Sequence, residues 1–336
     1  MQAVIYDGPG AASLRAVPVP QTGGLLLAVE ACGICGTDLT IWKGGHPRAK
    51  APLILGHEFV ARVAEPGQRL AQGARVTCFP LISCGNCETC LAGQPHVCEM
   101  LRLHGIDGPG GMAEFVRIPE SDLIALPEDL PTTVAAQAEP LAVCVHAARR
   151  AGITGGEDVA IIGAGPIGVT LALCLRGLGT RHVQLFDTNA ERVAMLTAHG
   201  FDAALAGPDA YAHALARIGR SGFDTVFECA GAAQAATDGL EMVRVGGRLV
   251  IVSIHARPVP FDLQRIAFRE VEVIGTRVYT RQDFDDACAM LPGLAAELAW
   301  LAGPLHPLDH APALFEALTQ GHGPLKAVLA VADTTT

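Results

Sequence analysis

The chain lacks an excess of positive charge. Its 336 residues include 24 Lys and Arg against 34 Asp and Glu, which gives a formal net charge of -10. Nucleic acids and anionic membrane surfaces both reward clustered Lys and Arg, so this balance argues against either one as a partner. Only 17% of the residues are charged and 50% are hydrophobic, which is typical of a compact globular protein.

Signals for export or membrane insertion are also missing. The N-terminal "MQAVIYDGPG" has neither a basic region nor an apolar core of the length that a signal peptide needs. The most apolar stretch, Val159 to Leu175, approaches membrane-spanning length but is interrupted by Gly and Pro. We therefore expect a cytoplasmic protein whose cysteines stay reduced, so that closely spaced cysteines indicate metal binding or catalysis.

Two kinds of pattern divide the chain. The first third contains short β-branched runs broken by Gly and Pro, such as "LLLAVEAC" and "FVARVAEPG", which are typical of a loop-rich β domain. From about residue 150, apolar strands alternate with helices, as in "EDVAIIGAG" followed by "PIGVTLALCLRGLG". Strands that alternate with helices predict a parallel, doubly wound sheet, and the fold class is therefore α/β.

The segment "GAGPIG" predicts a dinucleotide site. It places Gly163, Gly165 and Gly168 in the G-x-G-x-x-G pattern, with Pro166 and Ile167 between the last two glycines. The motif follows an apolar strand and opens a helix, which is the context that it requires. The glycines allow a tight turn, the close approach of backbone to a pyrophosphate, and the packing of helix on strand.

A carboxylate at the end of the next strand predicts which dinucleotide binds. Asp187 comes about twenty residues after the glycine motif, where it can accept hydrogen bonds from ribose hydroxyls. Because a carboxylate there repels a 2′-phosphate, NAD is favoured over NADP. Arg192 completes the predicted cofactor-binding set. The alternative interpretation is a structural glycine turn with a surface Asp.

The segment "SCGNCETCLAGQPHVC" concentrates four cysteines with the spacing C-x2-C-x2-C-x7-C. They are Cys84, Cys87, Cys90 and Cys98. Four thiolates meet the requirement of a closed, tetrahedral, structural zinc site. An iron–sulfur cluster also takes four thiolates, but the chain shows no electron partner for one. Disulfides are disfavoured by the reducing compartment.

A second constellation offers the open metal position that catalysis requires. "CGICGTD" contains Cys32 and Cys35, "LGHE" contains His57 and Glu58, and "AEPLAVCVHAARR" contains Glu139. Thiolate, imidazole and carboxylate ligands can form a three-ligand zinc site that leaves a place for water or an alcohol. Spacing alone leaves other interpretations open, because the two cysteines could be a redox pair or joint ligands, and the glutamate a plain helix start.

Together these motifs resemble the zinc-dependent medium-chain dehydrogenases, most closely the branch of polyol (sorbitol-type) and threonine dehydrogenases. The matching segments run in order through the whole chain: "CGICGTDLTIWKGG", "LGHEF", "CGNCETCLAGQPHVC", "GGMAEFVRIPE", "AEPLAVCVHAARR", "VAIIGAGPIGV" and "GGRLVIVS". The resemblance implies a GroES-like, β-rich catalytic domain with both zinc sites at residues 1–148 and a Rossmann NAD-binding domain at 149–280. It also implies that the C-terminal segment, 281–336, returns to the catalytic domain.

The resemblance also assigns roles within the second constellation. Cys35, His57 and Glu139 correspond to ligands of the catalytic zinc. Glu58 corresponds to a neighbouring acid that approaches or replaces a ligand during turnover, so it too is counted among the metal and catalytic residues. Thr37 corresponds to the hydroxyl that contacts the alcohol. Cys32 matches a position that is not a ligand.

One departure from the family pattern concerns the proton path. Many relatives have a His five residues after the ligand cysteine, and here that residue is Thr40. A threonine hydroxyl can hand on a proton but cannot hold one at neutral pH. Water, the ribose hydroxyls or another residue, of which His46 is the nearest candidate, must then complete the path.

The resemblance implies an enzyme that holds two zinc ions per chain and transfers a hydride from a secondary alcohol to NAD. We expect its substrate to be a polyol, sugar or related small hydroxylated compound that is oxidised to a ketone. Threonine 3-dehydrogenase and a vicinal-diol dehydrogenase of the butanediol type are the alternatives. A remote alternative is a non-catalytic, zinc-binding relic of the family. The resemblance also implies a homo-oligomer, either a tetramer or a dimer.

Overall fold

The computed structural model describes residues 1–332. Contacts between residues divide the chain into two compact units, of which the first comprises Met1–Ala142 with the chain from Thr280 onward. The second unit is Val143–Tyr279. These divisions lie close to the predicted boundaries at 148/149 and 280/281. The observed division between Ala142 and Val143 falls within a single helix, Ala138–Arg150.

The first unit is built mainly from short strands. Its strands are β1 (Gln2–Gly8), β2 (Ala11–Ala16), β3 (Leu25–Gly33), β4 (Leu53–Ile54), β5 (Glu58–Val63), β6 (Arg75–Cys78), β7 (Leu81–Ile82), β8 (Arg102–Leu103), β9 (Phe115–Ile118), β10 (Leu123–Ala125), β17 (His306–Pro307) and β18 (Val328–Ala330). Its α-helices are α1 (Gly36–Trp42), α2 (Glu88–Leu91), α3 (Thr132–Ala135), α10 (Arg281–Met290), α11 (Ala295–Ala302) and α12 (Ala311–Thr319). Its 3-10 helices are Pro95–Val97, Glu120–Asp122, Leu291–Leu294 and Leu308–His310.

Strand β3 organises the largest sheet of the first unit, whose strand order is β10-β6-β5-β3-β18-β17 with β9 also paired to β3. Its side chains alternate between buried and half-buried from Leu25 to Glu30, as expected for a strand with one face on the core. The antiparallel pairing of β18 with β3 aligns Val328 with Gly33. The C-terminal segment therefore belongs to the first unit.

The second unit is a doubly wound α/β domain. The helix α4 (Ala138–Arg150) begins in the first unit and ends in the second. Its strands are β11 (Asp158–Ile162), β12 (His182–Asp187), β13 (Asp202–Leu205), β14 (Phe223–Glu228), β15 (Val243–Ile251) and β16 (Glu272–Gly275). Its other helices are α5 (Pro166–Gly177), α6 (Ala190–Ala198), α7 (Pro208–Ile218), α8 (Ala233–Met242) and α9 (Leu263–Arg269).

All six strands of the second unit are parallel, in the order β13-β12-β11-β14-β15-β16. Strand β11, "DVAII", is buried along its whole length, as expected for a central strand covered on both faces. This arrangement confirms the predicted parallel, doubly wound sheet. The strand order reverses its direction between β11 and β14, and such a switch point is where open α/β sheets bind ligands.

The apolar stretch Val159–Leu175 forms most of β11 and α5. Within the described part of the chain, no helix combines the length and the apolar character needed to cross a membrane.

Candidate metal and cofactor sites

The first candidate metal site lies in the loop between β7 and β8. Cys84, Cys87, Cys90 and Cys98 place their Sγ atoms within 4.8 Å of one another. The Sγ atoms are 4.0 Å apart for Cys84 and Cys90, 3.8 Å for Cys87 and Cys98, and 3.5 Å for Cys84 and Cys98. A tetrahedral zinc with Zn–S bonds of about 2.3 Å separates its sulfur ligands by about 3.8 Å. The four thiols therefore fit a zinc ion without a place for substrate.

The surroundings of the cysteines act on their thiols in opposite directions. A hydrogen bond with the Thr89 hydroxyl, 3.3 Å from Cys87 Sγ, lowers the pKa of Cys87 to about 5. Loss of solvation, together with the neighbouring Cys87, raises the pKa of Cys90 to about 12. Without a cation the four thiols cannot all ionise, because adjacent thiolates repel one another. A divalent ion removes this conflict, since cysteines bind metal as thiolates.

The second candidate metal site forms where β3 and β5 pair. Their register places Gly33 opposite Glu58, which brings the end of β3 next to the residues that begin β5. Cys35 follows β3 as the N-cap residue of α1, and its Sγ, a ring nitrogen of His57 and a carboxylate oxygen of Glu58 all lie within 4.8 Å of one another. A Cβ on Gly33 would clash with the Glu58 carboxylate, so this close approach requires glycine.

Asp38 supports this group from the first turn of α1. It is fully buried, and its Oδ2 accepts a hydrogen bond from the backbone N–H of Cys35 at 2.8 Å. Its Oδ1 lies 3.8 Å from Nδ1 of His57, and neither atom has a hydrogen-bond partner. A separation of 3.8 Å is too long for a hydrogen bond, so Asp38 acts on the imidazole ring through its charge. Because Nδ1 faces Asp38, the other ring nitrogen, Nε2, is the one available to a metal ion.

The electrostatics of the second site favour a bound cation. Burial by itself lowers the pKa of His57, but the negative charges of Cys35 and Asp38 raise it well above its usual value. Zinc bound to the neutral imidazole would supply the same positive charge without a proton on the ring. The donor set and the negative field of these residues therefore fit zinc.

The sequence did not predict the role of Lys326, which precedes β18. Its Nζ donates one hydrogen bond to the backbone oxygen of Ile34 at 3.0 Å and a second to Oε2 of Glu58. Both charged side chains are buried. Burial lowers the pKa of Lys326, but the charges of Glu58 and Cys35 raise it overall, so the ammonium stays protonated. The only sequence signal is a lone Lys within the apolar "PLKAVLAV".

Three more of the residues discussed above lie near this site but outside the group of three candidate ligand atoms. Glu139 is buried in the first turn of α4, and its charge contributes to raising the pKa of both His57 and Lys326. Thr37 lies in the first turn of α1 and is half-buried. Cys32 is fully buried, which raises its pKa, and it lies outside the group.

The glycine motif forms the turn between β11 and α5. Gly165 is the N-cap residue of α5, Pro166 occupies the first turn, and Ile167 and Gly168 follow in the helix. A Cβ on Gly168 would clash with the backbone oxygen of Gly163, so only glycine permits this packing. A Cβ on Gly165 would project into open space, which leaves the helix N-terminus accessible to a phosphate.

A pocket of about 350 Å³ opens beside this turn, within the second unit. Its lining includes Gly163, Gly165, Asp187 and Arg192. Asp187 is buried and accepts hydrogen bonds from the backbone N–H groups of Ala164 at 2.8 Å and Asn189 at 2.9 Å. Its Oδ2 also lies 3.0 Å from Nη1 of Arg192. A glycine turn, a helix N-terminus and an adjacent carboxylate together fit a dinucleotide.

Comparison with known proteins identifies the family. Residues 21–128 match the family model described as the alcohol dehydrogenase GroES-like domain, and residues 166–292 match the model described as zinc-binding dehydrogenase. The chain belongs to the zinc-dependent medium-chain dehydrogenases, with a GroES-like domain and a Rossmann-like domain. Both the resemblance and the predicted fold class are confirmed.

Individual relatives cover most of the chain. It is 35% identical over 279 residues to the L-threonine 3-dehydrogenase of Rhizobium rhizogenes, covering 80% of each chain. A zinc-binding dehydrogenase from Sinorhizobium meliloti 1021, solved with NADP bound, is 33% identical, with a TM-score of 0.89 and 98% of each chain covered. Galactitol-1-phosphate dehydrogenase from Escherichia coli is 25% identical, with a TM-score of 0.89, covering 98% of this chain and 100% of that one.

The four-cysteine cluster generates a first prediction. We expect Cys90→Ser to lower the bound zinc from two ions per chain to one and to lower the thermal unfolding midpoint, because metal binding is coupled to the folding of the loop. Elemental analysis by mass spectrometry and scanning calorimetry measure these two quantities. Cys78→Ala is the control, since Cys78 is buried but lies outside the cluster. Iron in the parent protein, or unchanged zinc in Cys90→Ser, would contradict the assignment.

The buried pair of Lys326 and Glu58 generates a second prediction. We expect Lys326→Met to destabilise the protein by about 3–5 kcal/mol, because it leaves a buried carboxylate without its partner. The double variant Lys326→Met/Glu58→Gln should recover most of this loss, since no charge is then left unpaired. Unfolding in urea compares the three proteins, with Lys50→Met, at an exposed lysine, as the control. Equal losses in the single and double variants would show that the charge pair is not the cause.

Proposed function

We propose that this protein is an NAD-dependent zinc dehydrogenase that oxidises the secondary alcohol of a polyol, sugar or related small hydroxylated compound to a ketone. The observation that carries the proposal is the convergence of Cys35, His57 and Glu58, in a chain that also has a glycine-turn pocket. In the reaction, CH–OH and NAD⁺ give C=O, NADH and a proton. Two zinc ions per chain are part of the proposal.

Some of the site residues would hold the zinc, and others would guide the substrate. When bound, zinc acts as a Lewis acid that favours loss of the hydroxyl proton, and NAD accepts the hydride. Cys35 and His57 would hold the zinc, with Glu139 or Glu58 as the third ligand. The Thr37 hydroxyl would contact the substrate oxygen. Lys326 holds the Glu58 carboxylate in place through their buried ion pair.

The proton released by the alcohol needs a route to solvent. The Thr40 hydroxyl is exposed and donates to the backbone oxygen of Gly36 at 3.0 Å. His46 accepts a hydrogen bond from the backbone N–H of Ala49 at its Nδ1, at 3.1 Å, and burial together with Arg48 lowers its pKa. Its neutral ring must give up this bond before Nδ1 can take a proton. We therefore favour water over His46 as the last member of the path.

Relatives support two candidate substrate classes. Galactitol-1-phosphate, named for a relative that matches along the whole fold, is a phosphorylated polyol and supports the first. L-Threonine, named for a relative that is 35% identical, supports a second candidate function, threonine 3-dehydrogenase. Thr40, where the resemblance to threonine dehydrogenases leads us to expect His, favours the first class.

Cytoplasmic location and a homo-oligomeric state, tetramer or dimer, also remain proposals. Free cysteines, which include those of the four-cysteine cluster, support a reducing compartment. The family resemblance supports the oligomer.

Turnover with matched cysteine variants tests the function. We expect the zinc-loaded protein to form NADH with at least one polyol or sugar from a panel of sorbitol, xylitol, galactitol-1-phosphate, 2,3-butanediol and L-threonine. Cys35→Ser should abolish turnover, by about a thousandfold or more, because the zinc loses a thiolate ligand. Cys32→Ala should retain it, since Cys32 lies outside the ligand group. Absorbance at 340 nm follows the reaction.

Each outcome of the panel has a distinct meaning. Turnover of L-threonine alone would favour the second candidate function. Turnover that survives Cys35→Ser would contradict the assignment of the catalytic zinc. A parent protein that holds one zinc and turns over nothing would favour the non-catalytic alternative.

The choice between NAD and NADP gives a further prediction. We expect the parent to bind NAD more tightly, because the Asp187 carboxylate repels a 2′-phosphate. Asp187→Asn should strengthen NADP binding by about tenfold, since the substitution also frees the Arg192 guanidinium to pair with the phosphate. Calorimetric titration measures both dissociation constants, and Glu191→Gln, at an exposed acid in the same helix turn, is the control. A parent that prefers NADP, as bound in the Sinorhizobium meliloti structure, would contradict this prediction.

A further inference from the structure

Three polar side chains meet in the dinucleotide pocket, at positions that the reaction does not use. Tyr211 comes from α7, and Gln234 and Asp238 come from α8, and all three line the pocket. The Tyr211 hydroxyl donates to Oδ2 of Asp238 at 2.9 Å. The Gln234 side-chain amide donates to Oδ1 of Asp238 at 2.7 Å. The two hydrogen bonds fix the orientation of the Asp238 carboxylate.

The position of this carboxylate is further secured by packing. Tyr211 is only 8% exposed, and its ring meets that of Phe186 edge-on at a centroid distance of 4.9 Å. Burial, followed by the hydrogen bond to Asp238, raises the pKa of Tyr211, so its hydroxyl stays protonated as a donor. The tyrosine is therefore a rigid support for Asp238.

The carboxylate retains unused capacity as an acceptor. An ionised carboxylate can accept about four hydrogen bonds, of which Tyr211 and Gln234 supply two. Most of the neighbouring lining is apolar, including Ile162, Ala206 and Ala235. A few oriented polar groups in an otherwise apolar pocket are the usual means of selecting a ligand. Asp238 is thus prepared to accept from a donor on a planar, largely apolar ligand.

The remaining pocket lining indicates which part of the ligand meets this acceptor. The glycine turn with Gly165 is suited to the pyrophosphate, and Asp187 is suited to the adjoining ribose. The base attached to that ribose is the part of the dinucleotide left to contact the rest of the same pocket. Adenine carries one exocyclic donor group, its 6-amino group, whereas a 6-oxo purine presents an acceptor at that atom.

We infer that Asp238 accepts a hydrogen bond from the 6-amino group of adenine and selects adenine over 6-oxo purines at this pocket. The inference rests on the proposed function, because it requires that the pocket bind a dinucleotide. A 6-oxo group would place an acceptor against the carboxylate, with no proton between them. Asp238 thereby determines specificity for the base, independently of the choice between NAD and NADP at the 2′ position of the ribose.

Binding measurements on the full, zinc-loaded protein test this inference. Calorimetric titration compares NAD with nicotinamide hypoxanthine dinucleotide, whose purine has a 6-oxo group in place of the 6-amino group and a proton on N1. We expect the parent to bind NAD at least about tenfold more tightly, as loss of a charge-assisted hydrogen bond predicts. Asp238→Asn has the same shape but offers an amide N–H to the 6-oxo group, so it should bind the two dinucleotides within about twofold of each other.

Asp209→Asn is the matched control, since it removes a negative charge from an exposed position in α7 outside the pocket lining. It should keep the preference of the parent for NAD. Equal binding of the two dinucleotides by the parent would overturn the inference alone, as would an unchanged preference in Asp238→Asn. Failure of the parent to bind either dinucleotide would overturn the proposed function and this inference with it.

Discussion

Negative charge buried in the first unit is the constraint on which the candidate catalytic site depends. The side chains of Asp38, Glu58 and Glu139 are 0%, 2% and 6% exposed, and Cys35 adds a further charge when it binds metal as a thiolate. Burial of an unpaired charge costs several kcal/mol, so this group needs nearby positive charge. Lys326 neutralises one carboxylate, and a divalent cation would offset most of the remainder. The negative field of these residues therefore favours the binding of a cation at this site.

The strand β3 brings these charges together. It pairs with β5, which carries Glu58, and with β18, which follows Lys326, so that two distant segments of the chain meet at its end. Gly33 lies at this junction, opposite both Glu58 and Val328 in the two pairings. The absence of a side chain there lets the Glu58 carboxylate approach the backbone of β3. The ion pair is thus a consequence of sheet register as well as of charge.

A site could be predicted from the sequence alone where the residues that form it are close together in the chain. The four-cysteine cluster and the glycine turn are local motifs, since one short loop or one strand–turn–helix supplies the whole geometry. The family resemblance supplied Cys35, His57 and Glu139, which lie far apart. Lys326 was missed because its role depends on the pairing of β18 with β3, whereas the resemblance implied only that the C-terminal segment returns to the first domain. The role of Asp38 was not predicted, because its approach to His57 joins two separate segments.

The cofactor pocket shows the same distinction between local and long-range determinants. Backbone at the glycine turn is suited to a pyrophosphate, which every dinucleotide has, so it cannot select among them. Selection among dinucleotides must come from side chains in the same pocket. Asp187 and Arg192 belong to this lining, and both were predicted because they are close to each other in the sequence. Asp238 was not predicted, because its orienting partner Tyr211 belongs to another helix. The proposed phosphate site can therefore be predicted from a six-residue motif, whereas the proposed base site depends on the packing of two helices.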